Sequence, residues 1–188
     1  MKKRFLNPVK NKIVAVALLI LPLFTSHLYA QENIFIKEYI ERLENSKKYL
    51  MLVAETMPED KYTFKATPEL MRFEEHLMHI AWAMDWHTES LLGGRKARDW
   101  NTDTELKVNN KSKKEMIAKI NTVFDKAIAF ILNFDIKKLD ERLDYFGADR
   151  TKRQILLLVA DHITHHRAQL IVYLRLNGLK PPRYVLYQ

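Results

Sequence analysis

The chain of 188 residues contains no cysteine, which excludes disulfide bonds, thiolate metal sites and thiol nucleophiles. Glycine and proline are scarce, at 4 and 6 residues, and no tract is repetitive, so neither a solenoid nor disorder is indicated. The sequence also lacks a glycine-rich phosphate loop and a serine nucleophile elbow. Any chemistry must therefore come from other side chains.

The first thirty residues have the composition of an export signal. A basic segment, MKKRFLNPVKNK, precedes an apolar run, IVAVALLILPLF, and TSHLYA then ends in a small residue. The apolar run is shorter than the ~20 residues that a membrane span needs. We predict a signal peptide over residues 1–30, cleaved after Ala30, and an exported domain over residues 31–188. Because Leu28 is larger than the ideal residue three places before the cleavage point, retention as a membrane tether is the alternative.

The export prediction also places the mature domain and limits its partners. We expect it in the periplasm or outside the cell, with no stable membrane association after cleavage. The predicted leader holds five of the 31 basic residues and no acidic one, so its removal lowers the formal net charge from +8 to +3. The remaining charges are scattered along predicted helix faces, which is typical of a solvated surface. We therefore predict no nucleic-acid binding.

Helical periodicity recurs in four segments of the exported part. We predict the helices at Glu32 to about Met57, Pro68 (capped by Thr67) to about Leu92, Ser112 to about Phe134, and Thr151 to Asn177. Ser112 and Glu115 have the spacing of a capping box. No segment alternates with period two for long enough to predict a strand. The expected fold is all-α, a four-helix bundle.

Three of the seven histidines lie in one turn of the last predicted helix, in the segment ADHITHHRAQL. His162 and His166 are four residues apart and therefore project from the same side of a helix, whereas His165 points away from His166. Their side continues through Val159 and Leu170, which makes it the core-facing side. Buried imidazoles need polar partners, and a divalent metal ion can accept one nitrogen from each.

The second predicted helix offers a third ligand, because it contains His76 and His79. Facing helices of a bundle can bring either one to His162 and His166, which would give a three-histidine site with an open position for water. Periodicity alone does not choose between His76 and His79. Hydrogen-bonded core histidines without any metal are the simpler interpretation, since an HxxxH pair also arises by chance in helices.

Other metal signatures are absent from the sequence. The H-E-x-x-H motif does not occur, and no Glu-x-x-His motif of the di-iron carboxylate bundles is present. A nitrogen-rich and sulfur-free ligand set suits Zn, Ni, Fe or Cu better than Mg or Ca. The predicted cofactor is a divalent metal ion, Zn, Ni or Fe, whose identity the sequence leaves open.

Two long segments, MPEDKYTFKATPELMRFEEHLMHIAWA and LDYFGADRTKRQILLLVADHITHHRAQLIVYLRLNGLKPPRY, resemble the DinB/YfiT-like superfamily of metal-dependent enzymes. The resemblance extends from about Glu32 to the C-terminus. It implies that His79, His162 and His166 are the metal ligands and that His76 and His165 are only their neighbours. Ala168 stands where the common HRGQ form of the motif has glycine. Members of the superfamily are mostly cytoplasmic, so export would remove this domain from the cytosolic thiols that its thiol-transferase relatives use.

Three function classes remain open at this point. The first is a metal-dependent hydrolase or thiol/group transferase acting on an unknown small molecule through metal-bound water. The alternatives are a non-catalytic exported metal-binding protein and a helical interaction protein. An open coordination position beside a pocket would favour the enzyme. A homodimer is also predicted, because the first helix carries surplus apolar residues from Leu50 to Val53.

Several polar and aromatic residues near the histidines have two interpretations each. Asp161 and Gln169 either orient a histidine ligand or lie on the helix surface. Arg167 either binds an anionic substrate or pairs with an acidic side chain. Tyr145 and Phe146 precede the last helix and either close a pocket or pack onto the end of the bundle.

Overall fold

The computed structural model describes residues 34–185. The predicted signal peptide, residues 1–30, lies outside the described residues. Among the helices within residues 34–185, none is both long and apolar enough to cross a bilayer.

Four long helices make up most of the described chain, in agreement with the predicted bundle. They are α1 over residues 34–56, α2 at Phe73–Asp85, α3 at Lys113–Leu132 and α4 at Lys152–Leu176. Helix α2 continues without a break as a π-helix over Trp86–Leu92, and short 3-10 turns occupy Glu59–Lys61 and Ile136–Lys138. Helix α2 packs against both α3 and α4. Helix α1 contacts α4, where the Tyr39 hydroxyl donates to the carbonyl of Leu156 at 2.5 Å.

The ends of α3 and α4 follow the capping signals in the sequence. The Ser112 hydroxyl accepts a hydrogen bond from the Glu115 amide, while the Glu115 carboxylate accepts one from the Ser112 amide. Thr151 and Gln154 make the same reciprocal pair at the start of α4. Gly178 follows the end of α4 with a φ of 73°, a left-handed conformation that favours glycine.

The predicted start of the second helix at Pro68 is wrong, since α2 begins at Phe73. Tertiary hydrogen bonds hold the preceding segment in a loop instead. The Phe73 amide donates to the carbonyl of Phe64 at 2.9 Å, and the Glu74 amide donates to that of Tyr62 at 3.0 Å. Glu75 accepts the amide of Arg72 at 2.7 Å and thereby caps the new start.

The prediction that the chain has no strand is also wrong, so the fold is not purely α-helical. Strands β1, Arg142–Tyr145, and β2, Ala148–Thr151, pair antiparallel. Phe146 and Gly147 form the two-residue turn with φ angles of 53° and 81°, the positive values that a tight hairpin needs. Each strand has only four residues, too few for a period-two pattern to stand out.

The face of α1 that suggested a dimer is largely part of the core. Leu50 and Val53 are fully buried inside the bundle, while Leu52 is 42% exposed. Most of the surplus apolar surface is therefore used within the bundle itself. The homodimer stays a prediction, and a molar mass from light scattering would test it.

The polar segment between α2 and α3 is anchored to α2 by a buried carboxylate. Asp85 is buried and accepts hydrogen bonds from Arg95 and, at 3.2 Å, from Nε of Arg98. Leu106 from the same segment is buried against the core. These contacts bring Trp100 against the side of α2 that faces α4, where its ring meets His79.

Candidate metal centre

Helices α2 and α4 bring three histidines together. Nε2 of His79 lies 3.2 Å from Nε2 of His162, which lies 3.1 Å from Nε2 of His166. One ring nitrogen from each of the three lies within 4.8 Å of the others. The arrangement follows from one local and one tertiary feature: His162 and His166 are one helical turn apart, and α2 packs directly against α4.

His76 lies behind this cluster and contacts it through one member. Its Nδ1 atom is 2.9 Å from Nδ1 of His166, and both rings are buried. When Nε2 of His166 carries the free lone pair, its Nδ1–H donates to His76. Of the two histidines between which periodicity left the choice open, His79 lies in the cluster with His162 and His166, while His76 contacts His166 from behind. Their assignment as ligand and neighbour stays a prediction.

Burial keeps the clustered imidazoles neutral. Together with positive charge on neighbouring histidines, it lowers the pKa of His162 to about 4 and that of His166 to about 3. Burial likewise lowers the pKa of His76 to about 4. It also lowers the pKa of His79. Near pH 7 the ring nitrogens therefore keep their lone pairs, which is the state that binds metals.

The donor set fits a divalent metal ion. Imidazole nitrogens bind zinc at about 2.0–2.1 Å, so two ligands of one ion are separated by at most about 4.2 Å. The 3.2 Å between His79 and His162 and the 3.1 Å between His162 and His166 satisfy this limit. Within residues 34–185, no carboxylate joins the three histidines, so protein side chains leave coordination positions open. Neutral nitrogen donors favour Zn, Ni or Fe over Mg or Ca.

A cavity of about 760 Å³ adjoins the cluster, and His79 forms part of its wall. The edge of the Trp100 ring meets the His79 ring at a centroid distance of 5.8 Å. Nζ of Lys107 lies 4.4 Å from the Trp100 ring centroid, so the loop supplies both an aromatic face and a cation. Arg72 and Glu75 also line the wall. Of the three clustered histidines, His79 is therefore open to a molecule in this cavity.

His87 is a site residue that the sequence analysis did not identify. It is buried, its Nδ1–H donates to the Ala83 carbonyl at 2.6 Å, and its Nε2 accepts from the Tyr145 hydroxyl at 2.9 Å. A positive charge on His87 also acts to lower the pKa of His162, after burial and His79. His79, Ala83 and His87 are spaced four residues apart, and this spacing is the signal that could have identified His87.

The hairpin turn packs on the π-helical end of α2, as the packing interpretation of Tyr145 and Phe146 expected. Phe146 stacks on Trp86 at 5.5 Å and is 81% exposed. Tyr145 in addition reaches inward to His87. The hairpin, which the sequence analysis did not predict, thus places the Tyr145 hydroxyl against His87.

Asp161 and Gln169 have the surface roles that were one of their two interpretations. Asp161 is exposed and pairs with Arg42, while Nε2 of Gln169 lies 2.9 Å from Nε2 of the exposed His165. Neither contacts a member of the cluster. The contact that could orient a clustered histidine comes from His76 rather than from Asp161 or Gln169.

These elements define a helical bundle with a three-histidine cluster that opens onto a cavity. The chain belongs to the DinB family, whose model matches residues 27–187. The uncharacterized protein YjoA of Bacillus subtilis (strain 168) is 29% identical over 133 residues, which cover 67% of this chain and 80% of YjoA.

Two crystal structures share the fold. A DinB-like protein from Bacillus subtilis, YjoA, superposes with a TM-score of 0.63 at 24% identity, over 80% of this chain and 97% of the other. A DinB-like protein from Bacillus cereus ATCC 10987 superposes with a TM-score of 0.60 at 20% identity, over 79% and 93%. At these identities the likeness concerns the fold.

Proposed function

We propose that this protein is a divalent-metal-dependent enzyme of the hydrolase or group-transferase type, with His79, His162 and His166 as the metal ligands. The observation that carries the proposal is the double position of His79, which belongs to the cluster and also lines the 760 Å³ cavity. A metal that only stabilises a fold is normally closed off by a fourth protein ligand. The described residues bring three candidate ligands together and leave one of them, His79, in the wall of the cavity.

A divalent cation at this position would supply Lewis acidity, which activates water or a thiol and polarises a carbonyl group. The chain's own residues set the conditions for that chemistry. The neutral imidazoles offer their lone pairs. Nδ1 of His76 lies 2.9 Å from Nδ1 of His166, and a hydrogen on the His166 nitrogen would be donated to His76 and would hold the His166 ring in one orientation. Trp100 covers His79 from the loop side and limits the access of water.

The composition of the cavity wall favours a small polar substrate. Cationic Arg72 and Lys107 and anionic Glu74 and Glu75 all line the space beside His79. Burial raises the pKa of Glu74, while Arg72 beside it acts in the opposite direction. We also propose that the enzyme acts outside the cytosol, on the basis of the leader-like residues 1–30.

Metal titration of the purified, metal-free protein tests the ligand assignment. Alanine at His79, His162 or His166 should each abolish stoichiometric binding of Zn²⁺ or Ni²⁺ in calorimetry, because two imidazoles rarely hold a metal alone. His165→Ala is the matched control, since this histidine lies in the same turn but is exposed, and it should bind as the parent does. Loss of metal in His165→Ala with retention in His162→Ala would show that the assignment is wrong.

Elemental analysis of protein purified from its own cells, combined with an ester and thiol activity screen, tests the enzymatic part. Activity should disappear with a chelator and return with one equivalent of the native metal. His162→Ala should stay inactive after the same addition. A metal-bound structure in which a fourth protein group closes the site would contradict an enzymatic role.

A further inference from the structure

A second cavity lies between α1 and α4, apart from the metal centre. It has a volume of about 200 Å³, and its wall includes Arg42, Ser46, Tyr49, Thr164, Arg167 and Tyr184. None of its lining residues belongs to the wall of the 760 Å³ cavity. We propose that this cavity is a binding site for a small oxyanion, either phosphate or a short carboxylate, held by the guanidinium group of Arg167.

Arg167 is a buried cation without a carboxylate partner. The residue is 5% exposed, and its Nη1 atom is buried and makes no hydrogen bond. No ion pair joins it to an acidic side chain within residues 34–185. The Tyr49 ring provides partial compensation, because its centroid lies 5.2 Å from Cζ. The pairing with an acid considered from the sequence is therefore not found, and the anion-binding alternative remains.

Burying a charge is costly unless hydrogen bonds and an opposite charge compensate for it. Burial accordingly lowers the pKa of Arg167, while the nearby Tyr184 and Tyr49 act in the opposite direction. An oxyanion would provide both the opposite charge and the hydrogen-bond acceptors. Its oxygens accept hydrogen bonds from the N–H groups that a guanidinium presents as a fork. The cavity wall already includes that guanidinium.

A second cation and a hydroxyl group share the cavity with Arg167. Arg42 lines it and pairs with Asp161 at 3.1 Å, but the Asp161 side chain is 73% exposed and offers only weak compensation. The positive charge of Arg42 is close enough to lower the pKa of Arg167. Ser46 is buried and lines the same space. Two guanidinium groups beside a buried hydroxyl favour an anion over a neutral ligand.

The size and position of the cavity define the ligand and its relation to the metal centre. A volume of about 200 Å³ accommodates phosphate or a short carboxylate but is small for a nucleotide. Arg167 follows His166 directly and therefore points about 100° away from it around α4. An anion at Arg167 thus approaches α4 from the α1 side, whereas the histidines face α2. The proposal does not depend on the proposed enzymatic function.

Thermal unfolding of the metal-free protein with phosphate or acetate, at constant ionic strength balanced by chloride, tests the proposal. The Tm should rise with the logarithm of the concentration of at least one of the two anions, as expected for a ligand that binds the folded state. The Nε–Hε NMR signal of Arg167 should shift along the same titration. A response to phosphate alone assigns a phosphate site, and a response to acetate alone assigns a carboxylate site.

Arg167→Met separates a ligand site from a merely structural role. It should remove the anion response and, without anion, leave the Tm unchanged or higher, because a buried uncompensated charge is gone. Arg142→Met changes the net charge equally at an exposed hairpin position and should keep the response. If His162→Ala also keeps the anion response, the anion does not bind at the metal centre.

Three results would overturn the proposal. They are a parent protein whose Tm and Arg167 signal are unaffected by both anions, an Arg167→Met variant that retains the full response, and a response that only His162→Ala removes. Should Arg167→Met fail to fold, Arg42→Gln provides the second variant, since Arg42 lies closer to the rim. It should weaken anion binding several-fold, and unchanged binding would count against the site.

Discussion

The Nδ1 atoms of His76 and His166 lie 2.9 Å apart, so one buried imidazole holds another between two helices. In a hydrogen bond between them, one nitrogen carries the hydrogen and the other accepts it, so the contact couples the tautomers of the two rings. With the hydrogen on His166, Nε2 of His166 is left free on the side of His79 and His162. This relationship connects the packing of α2 on α4 to the chemistry of the cluster.

Replacing His76 should weaken metal binding without abolishing it. His76→Ala removes the contact to Nδ1 of His166, and the loss of such a supporting contact typically costs 10–100-fold in metal affinity. Competition titration with a chelating dye measures this change. His165→Ala is the control and should change the affinity little. An affinity for His76→Ala equal to that of the parent would show that the contact does not support metal binding.

The metal-free protein should lose stability as the pH falls below about 6.5. In the unfolded chain a histidine takes up a proton near pH 6.5, whereas the folded pKa values are about 4 for His76 and about 3 for His166. Protons therefore favour the unfolded state between these limits, and stability is fully present only above about pH 6.5. Each group contributes a slope of about 1.4 kcal/mol per pH unit within its window.

Urea unfolding in the presence of EDTA at pH 7, 6 and 5 measures this dependence. His166→Leu should have a shallower slope than the parent, because one of the titrating groups is removed. His165→Ala should keep the parental slope, since that side chain is exposed. A free energy of unfolding that is constant from pH 7 to pH 5 would contradict the prediction.

Replacing Asp85 should loosen the loop over the metal centre. Asp85 is buried and pairs with Arg95 and Arg98, and removal of a buried partner of this kind costs several kcal/mol in the least favourable cases. Because both arginines are partly exposed and can regain water, we expect about 1–3 kcal/mol for Asp85→Ala. Urea unfolding measures the loss.

Limited proteolysis after the arginines of residues 93–112 tests the same prediction locally. Asp85→Ala should be cleaved faster than the parent, because its loop has lost the anchor. Asp99→Ala removes an exposed carboxylate of the same loop, whose side chain accepts the Asn101 amide, and should be cleaved at the parental rate. Equal cleavage of Asp85→Ala and the parent would disprove the anchoring role.

The mature protein should begin at Gln31. Mass spectrometry of the N-terminus, after fractionation of the producing cells, checks this prediction. Cleavage after Ala30 is expected to yield a periplasmic or secreted chain. A chain that keeps residues 1–30 in the membrane fraction would support the tether alternative, and the full-length chain in the cytosol would contradict export.

Much of the helical framework could be predicted from the sequence, because its signals are local. The capping boxes of Ser112 and Thr151 lie within four residues of the groups they cap, and the hydrophobic period requires only one helix. The shared direction of His162 and His166 follows from the 3.6-residue turn in the same way. Family resemblance added His79, which periodicity had left as one of two choices.

The remaining features depend on contacts between distant parts of the chain. Phe64 and Tyr62 accept amides at the start of α2 and so displace that start from Pro68, an effect that propensity at Pro68 could not reveal. Each strand of the hairpin has only four residues, and pairing with the other strand stabilises it, so its own sequence pattern does not predict it.

The candidate site likewise combines features that local sequence determines with features that tertiary contacts determine. Local sequence determined which side of α4 carries His162 and His166, because helix geometry fixes the direction of residues four apart. Only the tertiary structure decided that His79 joins them, that His76 supports His166 from behind, and that the loop after α2 brings Trp100 to the cavity. The physical reason is that these positions depend on how α2 packs against α4 and on how Asp85 anchors the loop, and neither relationship is encoded within one turn of helix.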